Sequence, residues 1–198
     1  GPEKDKLVPK TMSTARILYG MYFGLTAIEV ILLLLGGMTL YDSLIFSFGT
    51  AGTGGFANYS SSVGHFDSAY IDGVITVFMI LFGINFNLYF FLLLRDFKPV
   101  WKNEELKTYL LMILSAACLI TINISHLYGN PLHAFRYAIF QVASIITTTG
   151  YATADHTLWP MFSQCVLLFL MMVGACASST GGGMKVARFM MMMKCIKR

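Results

Sequence analysis

ASIITTTGYA, residues 143–152, sits in a strongly apolar stretch, yet three threonines and a glycine interrupt it. A second stretch, FGTAGTGGFA at residues 48–57, matches it in register. Gly55 aligns with Gly150, Phe56 with Tyr151, Thr53 with Thr148 and Ala57 with Ala152, each 95 positions apart (150 − 55 = 95). A recurring Thr/Gly loop in a hydrophobic chain is the sign of an internal repeat.

The surroundings say what kind of chain carries it. Of 198 residues, 56% are hydrophobic and 12% charged, and the mean hydropathy is +0.66. Soluble domains average about 45–50% apolar and about 25% charged. The composition therefore points to an integral membrane protein. Long apolar runs cover Ile17–Met38, Ile71–Leu94, Tyr109–Leu127 and Leu158–Val173. The first three are near the length, about 20 residues, that crosses the hydrocarbon core as a helix, and the fourth runs into a glycine-rich break. Asp42–Ala51 and Pro131–Ile146 are shorter, and each runs into one of the two Thr/Gly loops.

The expected fold is therefore all-α and membrane-embedded. It consists of two units of helix, re-entrant pore helix, filter loop and helix, with the last helix broken by a glycine-rich loop. The expected divisions are a cytoplasmic linker at 1–15, one unit at 16–103 and a second at 104–198. Thirteen of the fourteen Lys and Arg residues fall on one side of this arrangement, Arg136 being the exception. By the positive-inside rule both termini are expected in the cytoplasm. The basic residues lack the aromatic interleaving of a nucleic-acid surface, so no nucleic-acid partner is expected.

Loops of this kind have a specific chemistry. Non-helical backbone at membrane depth cannot face lipid, because unsatisfied carbonyls are costly there. It is tolerated where carbonyl oxygens replace the water around a cation, as in the TVGYG loops of potassium channels. Thr148-Thr149-Gly150-Tyr151 is one substitution from TVGY. The candidate ion-binding residues are Thr53, Gly54, Gly55 and Phe56 with Thr148, Thr149, Gly150 and Tyr151.

A third feature is GACASSTGGGMKVAR, residues 174–188. Three consecutive glycines cannot hold a good helix, since each costs about 1 kcal/mol against alanine. The Gly-Lys-Ser/Thr order of a phosphate-binding loop is absent. Two readings stand: a loop that obstructs a pore and moves to open it, or a plain hinge to the cytoplasmic tail. The candidate gate residues are Gly174, Ser178, Ser179, Thr180, Gly181, Gly182, Gly183 and Lys185.

Other polar groups are read individually. Glu29 lies deep in the first apolar run; an ion-path residue and a packed structural partner are the two readings, and packing against protein is the one expected. Asn85 is expected to face the interior, and Asp67 and Asp72 to cap a helix. The scattered cysteines Cys118, Cys165, Cys176 and Cys195 show no ligand spacing and read as small packing residues. No Ser/His, paired-carboxylate or metal-spaced cluster falls inside the runs, so an enzyme is not expected.

These motifs resemble the Trk/Ktr/HKT superfamily of potassium transporters, with the bacterial TrkH/TrkG branch nearest. Gly174–Arg188 is similar to that branch's GCAGSTGGGxKVxR segment, Ser47–Phe56 to its SFxTxxxGGF filter, and Thr148–Thr153 to its TTxGFxT filter. The resemblance runs along essentially the entire chain. Such transporters carry four units around one pore, and these two resemble the second and third. The start GPEKDK resembles the linker leaving a first unit.

The resemblance implies potassium uptake or symport in the bacterial inner membrane. K+ is then the transported ion, with no organic cofactor and no other metal. It implies as partners the remaining units, a second copy in a homodimer, and a cytoplasmic nucleotide-binding TrkA-like regulator. It also matches Lys185 and its loop to an intramembrane gate. Thr149 stands where many relatives carry a smaller apolar residue, and Gly52-Thr53-Gly54 is unusually glycine-rich. Glycine at both 55 and 150 favours potassium over sodium. A sodium or nonselective pathway of the same architecture, and a truncated non-conducting subunit, remain the alternatives.

Overall fold

The computed structural model describes the backbone of residues 4–196 and the side chains of residues 15–196. Of the expected linker, Gly1, Pro2 and Glu3 lie outside the described residues, as do Lys197 and Arg198 at the other end. The described residues form α-helices and short 3-10 turns, with no strand among them.

The first half opens with α1 (Lys4–Leu35), which stops at the Gly36-Gly37 turn. A short α2 (Leu40–Ala51) follows. Thr39 caps it: its hydroxyl oxygen accepts the Asp42 N–H at 3.1 Å and its proton goes to Asp42 Oδ2 at 2.8 Å. Twelve residues make a helix of about 18 Å, short of the roughly 30 Å hydrocarbon core. After the first Thr/Gly loop and a 3-10 turn at Ser62–Phe66 come α3 (Ala69–Phe82) and α4 (Phe86–Leu93).

The second half is joined through α5 (Lys98–Lys102). Asn103 caps α6 (Glu104–Tyr128) by accepting the Leu106 N–H at 2.7 Å. Asn130 caps α7 (Pro131–Ile146) by accepting the Leu132 N–H at 2.9 Å, and Pro131 supplies the fixed φ of a first helical turn. The second Thr/Gly loop leads to α8 (Met161–Val173) and, past the glycine-rich loop, α9 (Val186–Ile196).

Two helices, Ala15–Leu35 within α1 and Glu104–Tyr128, are long and apolar enough to cross a membrane. The run Ile71–Leu94 is not the straight span its hydropathy predicts. It breaks at Gly83–Asn85, and α3 and α4 meet at 92°. Gly83 packs where a side chain would run into the Tyr109 hydroxyl. Asn85 caps α4, its side chain accepting the Asn87 N–H at 2.9 Å. Asn85 is half-buried where Asn87 is exposed, as expected of the more interior of the two, and it also restarts a helix.

The capping expectation for Asp67 and Asp72 also fails. Ser68 is the cap of α3, accepting the Ile71 N–H. Asp72 is buried and pairs with Arg136 Nε at 2.7 Å, while Asp67 stays exposed at 3.8 Å from Nη2. Arg136 thus ties α3 of the first half to α7 of the second. Of the cysteines only Cys176 is buried, so the packing expectation holds for that one alone.

The core crosses the two halves. Leu33, Phe46, Ile75 and Met79 from the first pack with Phe140, Ala143 and Tyr151 from the second. A larger cluster joins α6, α7 and α8.

Removing one partner of a buried ion pair leaves a bare charge and costs about 3–5 kcal/mol. Arg136→Ala in the full-length protein is expected to destabilise it on that scale, read as a lower thermal midpoint in detergent. Adding Asp72→Asn is expected to recover most of the loss.

Candidate functional site

The two Thr/Gly loops have one backbone conformation. Thr53 and Thr148 are left-handed at φ of +49° and +60°, and Gly55 and Gly150 at +65° and +89°. The hydrogen bonds repeat in the same register. Gly52 N–H donates to Phe48 O, as Thr147 N–H does to Ala143 O. Gly54 and Gly55 N–H donate to Gly49 O, and Thr149 and Gly150 N–H to Ser144 O. Each short helix therefore ends in the same way, and the loop leaves it with its N–H groups turned back.

The carbonyls fare differently. Among the described residues no N–H or O–H donates to the carbonyls of Thr53, Gly54, Gly55, Thr148, Thr149 or Gly150. Three consecutive oxygens per loop are left without a donor. The next carbonyl in each is occupied: Tyr151 O accepts the Ser144 hydroxyl at 2.5 Å, and Phe56 O the Tyr151 phenol at 3.4 Å. Of the eight residues expected to bind an ion, the two aromatics thus have carbonyls already engaged.

The loops touch. A Cβ on Gly55 would run into the Thr149 carbonyl oxygen, whereas one on Gly150 would meet nothing within 4 Å. The Tyr151 phenol crosses to the first half, donating to Phe46 O at 3.0 Å. Phe56, its counterpart, is 78% exposed while Tyr151 is 0% exposed.

The glycine-rich loop lies against both. Thr53 Oγ1–H is shared between Gly52 O at 2.8 Å and Thr180 O at 3.0 Å, and Gly182 N–H donates to Thr148 Oγ1 at 2.7 Å. The two equivalent threonines hold the same loop. Its tip is also bound to the α3–α4 break. Cys176 N–H donates to Gly83 O at 3.1 Å, Thr180 N–H and Oγ1–H to Phe82 O, and Phe86 N–H to Ser178 O at 3.1 Å. Glu105 at the start of α6 accepts the Ala177 N–H at 2.6 Å. Lys185 does not reach away from the loop: its ammonium donates to Gly181 O at 2.5 Å and Cys176 O at 3.3 Å. Ser178, Ser179 and Thr180 line one wall of a cavity of about 660 Å³, with Tyr19 and Tyr22 of α1 on another.

Sequence reasoning missed three members of this arrangement. Glu105 and Ser144 carry no local signal. The Gly83–Asn85 break did: a glycine followed by an asparagine cap in an apolar run is a stop and a restart.

The chain has relatives among known proteins. The model of a family described as TrkH, cation transport protein, matches residues 2–198. The chain is 37% identical over 198 residues to the Trk system potassium uptake protein TrkH of Vibrio parahaemolyticus, covering 97% of this chain and 41% of that protein. It is 35% identical to TrkH and 32% identical to TrkG of Escherichia coli K12, covering 98% of this chain and 41% of each. The crystal structure of the potassium transporter TrkH from Vibrio parahaemolyticus superposes with a TM-score of 0.89 at 34% identity, covering 96% of this chain and 42% of that one. The chain spans about 41% of the length of the curated relatives it matches. These relatives are named as transport proteins, in agreement with the expectation that the chain is not an enzyme.

The unequal surroundings of the two glycines make a test. Gly55→Ala is expected to prevent assembly, because the methyl group collides with backbone. Gly150→Ala carries only the left-handed strain of about 1–2 kcal/mol and is expected to assemble. Size-exclusion profiles of the two full-length variants separate them.

Proposed function

The chain belongs to the TrkH family of cation transport proteins, and on that premise we propose that it forms two walls of a potassium-selective pore. The observation that carries this reading is the set of six carbonyls without donors, three from each loop, at Thr53–Gly55 and Thr148–Gly150. Carbonyls left open at membrane depth are costly unless water or an ion meets them. A ring of such oxygens replaces the hydration shell of a monovalent cation. Glycine at positions 55 and 150 allows the left-handed turns that leave these oxygens free.

The units at 16–103 and 104–198 are then two pore-loop modules, with α2 and α7 as re-entrant helices, and 1–15 is the preceding cytoplasmic linker. Phe56 and Tyr151 support a ring that continues beyond this chain. Tyr151 is buried against the unit before it, and Phe56 is exposed where a preceding unit would sit. The remaining units of the transporter complete the filter. The protein resides in the bacterial inner membrane with both termini cytoplasmic, takes up K+ as the transported ion, and needs no organic cofactor. A homodimer and a TrkA-like cytoplasmic regulator complete the system.

The glycine-rich loop is the gate of this pore rather than a plain hinge. It is bonded to the first left-handed threonine of each filter loop, so it lies across the inner end of the filter. Its carbonyls at Cys176 and Gly181 are held by Lys185, which keeps the loop compact. Opening requires the Thr53 and Thr148 contacts to break.

In the full-length transporter, Gly150→Ser is expected to lower the ratio of K+ to Na+ uptake. An unchanged ratio, measured with K+, Rb+ and Na+ in the same cells, would contradict the assignment of this loop as filter.

A further inference from the structure

The two filter strands are held by different side chains. In the second unit the Ser144 hydroxyl of α7 donates to Tyr151 O at 2.5 Å. Gly49 stands at the equivalent place in α2 (144 − 95 = 49), so the first strand has no such hydroxyl. A side chain has no room there, because a Cβ on Gly49 would run into the Tyr151 phenol. That phenol is 3.4 Å from Phe56 O, a long contact beside the 3.0 Å bond it makes to Phe46 O.

An acid holds the first strand instead. Asp42, in the first turn of α2, is 4% exposed, and both of its carboxylate oxygens are used. Oδ2 accepts the Thr39 hydroxyl within the helix cap at 2.8 Å. The cap leaves Oδ1 free, and Oδ1 accepts the Asn58 side-chain amide at 2.6 Å. The Tyr59 phenol lies 3.3 Å from Oδ2 and 3.4 Å from Oδ1. Asn58 and Tyr59 follow Phe56 by two and three positions. The carboxylate thus bonds the chain leaving the filter to the start of the helix that leads into it. Hydrogen bonds to an ionised acceptor are shorter and stronger than neutral ones.

The same segment reaches the second strand. Tyr59 stacks on His65 with ring centroids 3.7 Å apart and meets Phe66 edge-on, and Phe66 meets Phe46 of α2. Between Tyr59 and His65 in sequence, Ser62 Oγ accepts the Ala152 N–H at 3.3 Å and Gly64 N–H donates to Ala152 O at 3.2 Å. Both backbone polar groups of the residue after Tyr151 are therefore taken by the segment that Asp42 anchors. Residues 58–66 form a strap that joins the exits of the two filter strands, with Asp42 at its root. The second unit has no equivalent root. At the offset of 95, Thr39, Asp42, Asn58 and Tyr59 correspond to Ala134, Tyr137, Thr153 and Ala154.

We propose that Asp42 is a positioning residue of the filter, which through Asn58 and Tyr59 holds the strap 58–66 and so sets discrimination between K+ and Na+. This rests on the filter reading. Asp42 touches no ion; it fixes where the two strands end, and selection depends on how the carbonyl oxygens are placed around the ion.

The test uses the full-length transporter, with K+ and Na+ uptake read side by side and the thermal midpoint of the purified protein measured alongside. Asn58 is exposed, so changing it spares the packing of α2. Asn58→Ala is expected to keep the thermal midpoint of the parent and to lower the ratio of K+ to Na+ uptake about fivefold, the scale of one hydrogen bond. Asn58→Asp sets two carboxylates against each other and is expected to lower the ratio at least as far. Adding Asp42→Asn to Asn58→Asp restores a donor and an acceptor with their places exchanged, and is expected to return most of the ratio. A strap that serves folding alone would move the midpoint and total uptake but not the ratio. The parent's ratio in Asn58→Ala overturns the proposal. An exchanged pair no better than Asn58→Asp alone overturns it too, as does loss of assembly in all three variants, which marks the contact as a folding element. Gly150→Ser is the control. If it lowers the ratio and Asn58→Ala leaves it alone, the proposal fails and the filter stands; if Gly150→Ser is silent, the filter reading itself has failed.

Discussion

Backbone polar groups inside a membrane must find partners, and this requirement organises the structure around the α3–α4 break and the glycine-rich loop. The α3–α4 break frees the carbonyls of Phe82 and Gly83 and the N–H of Phe86. The glycine-rich loop supplies their partners through Thr180, Cys176 and Ser178. Neither break is satisfied alone. Together they lock, and the lock places Thr180 and Gly182 against Thr53 and Thr148. A loop that moves to open a pore must therefore disturb the α3–α4 junction as well.

The two halves repeat a backbone more faithfully than a sequence. Thr53 and Thr148, Gly55 and Gly150 share their left-handed φ values, and the hydrogen bonds from Gly52 and Thr147 onward repeat at the same offset. The side chains at matched positions of the preceding helices diverge, with Glu29 and Thr50 in one half and Ile124 and Ile145 in the other.

Much of this was legible before the structure. The short helices at Leu40–Ala51 and Pro131–Ile146 follow from apolar runs too short to span, and the repeat follows from the alignment of Gly55 with Gly150. Hydropathy could not show the 92° bend, because it averages over the Gly83–Asn85 break. Nor could it pair Asp72 with Arg136, 64 residues away, because that contact is tertiary and leaves no local pattern. Lys185 was legible as part of the loop, but its choice of Gly181 O and Cys176 O depends on how the glycines turn.

The central claim is that the open carbonyls of the two loops hold the transported ion. Crystals of the full-length transporter grown with Rb+ in place of K+ test it through the anomalous signal of the ion. The account predicts density in contact with the carbonyl oxygens of Thr53–Gly55 and Thr148–Gly150. Ordered Rb+ elsewhere along the pore, with none at these oxygens, would contradict it.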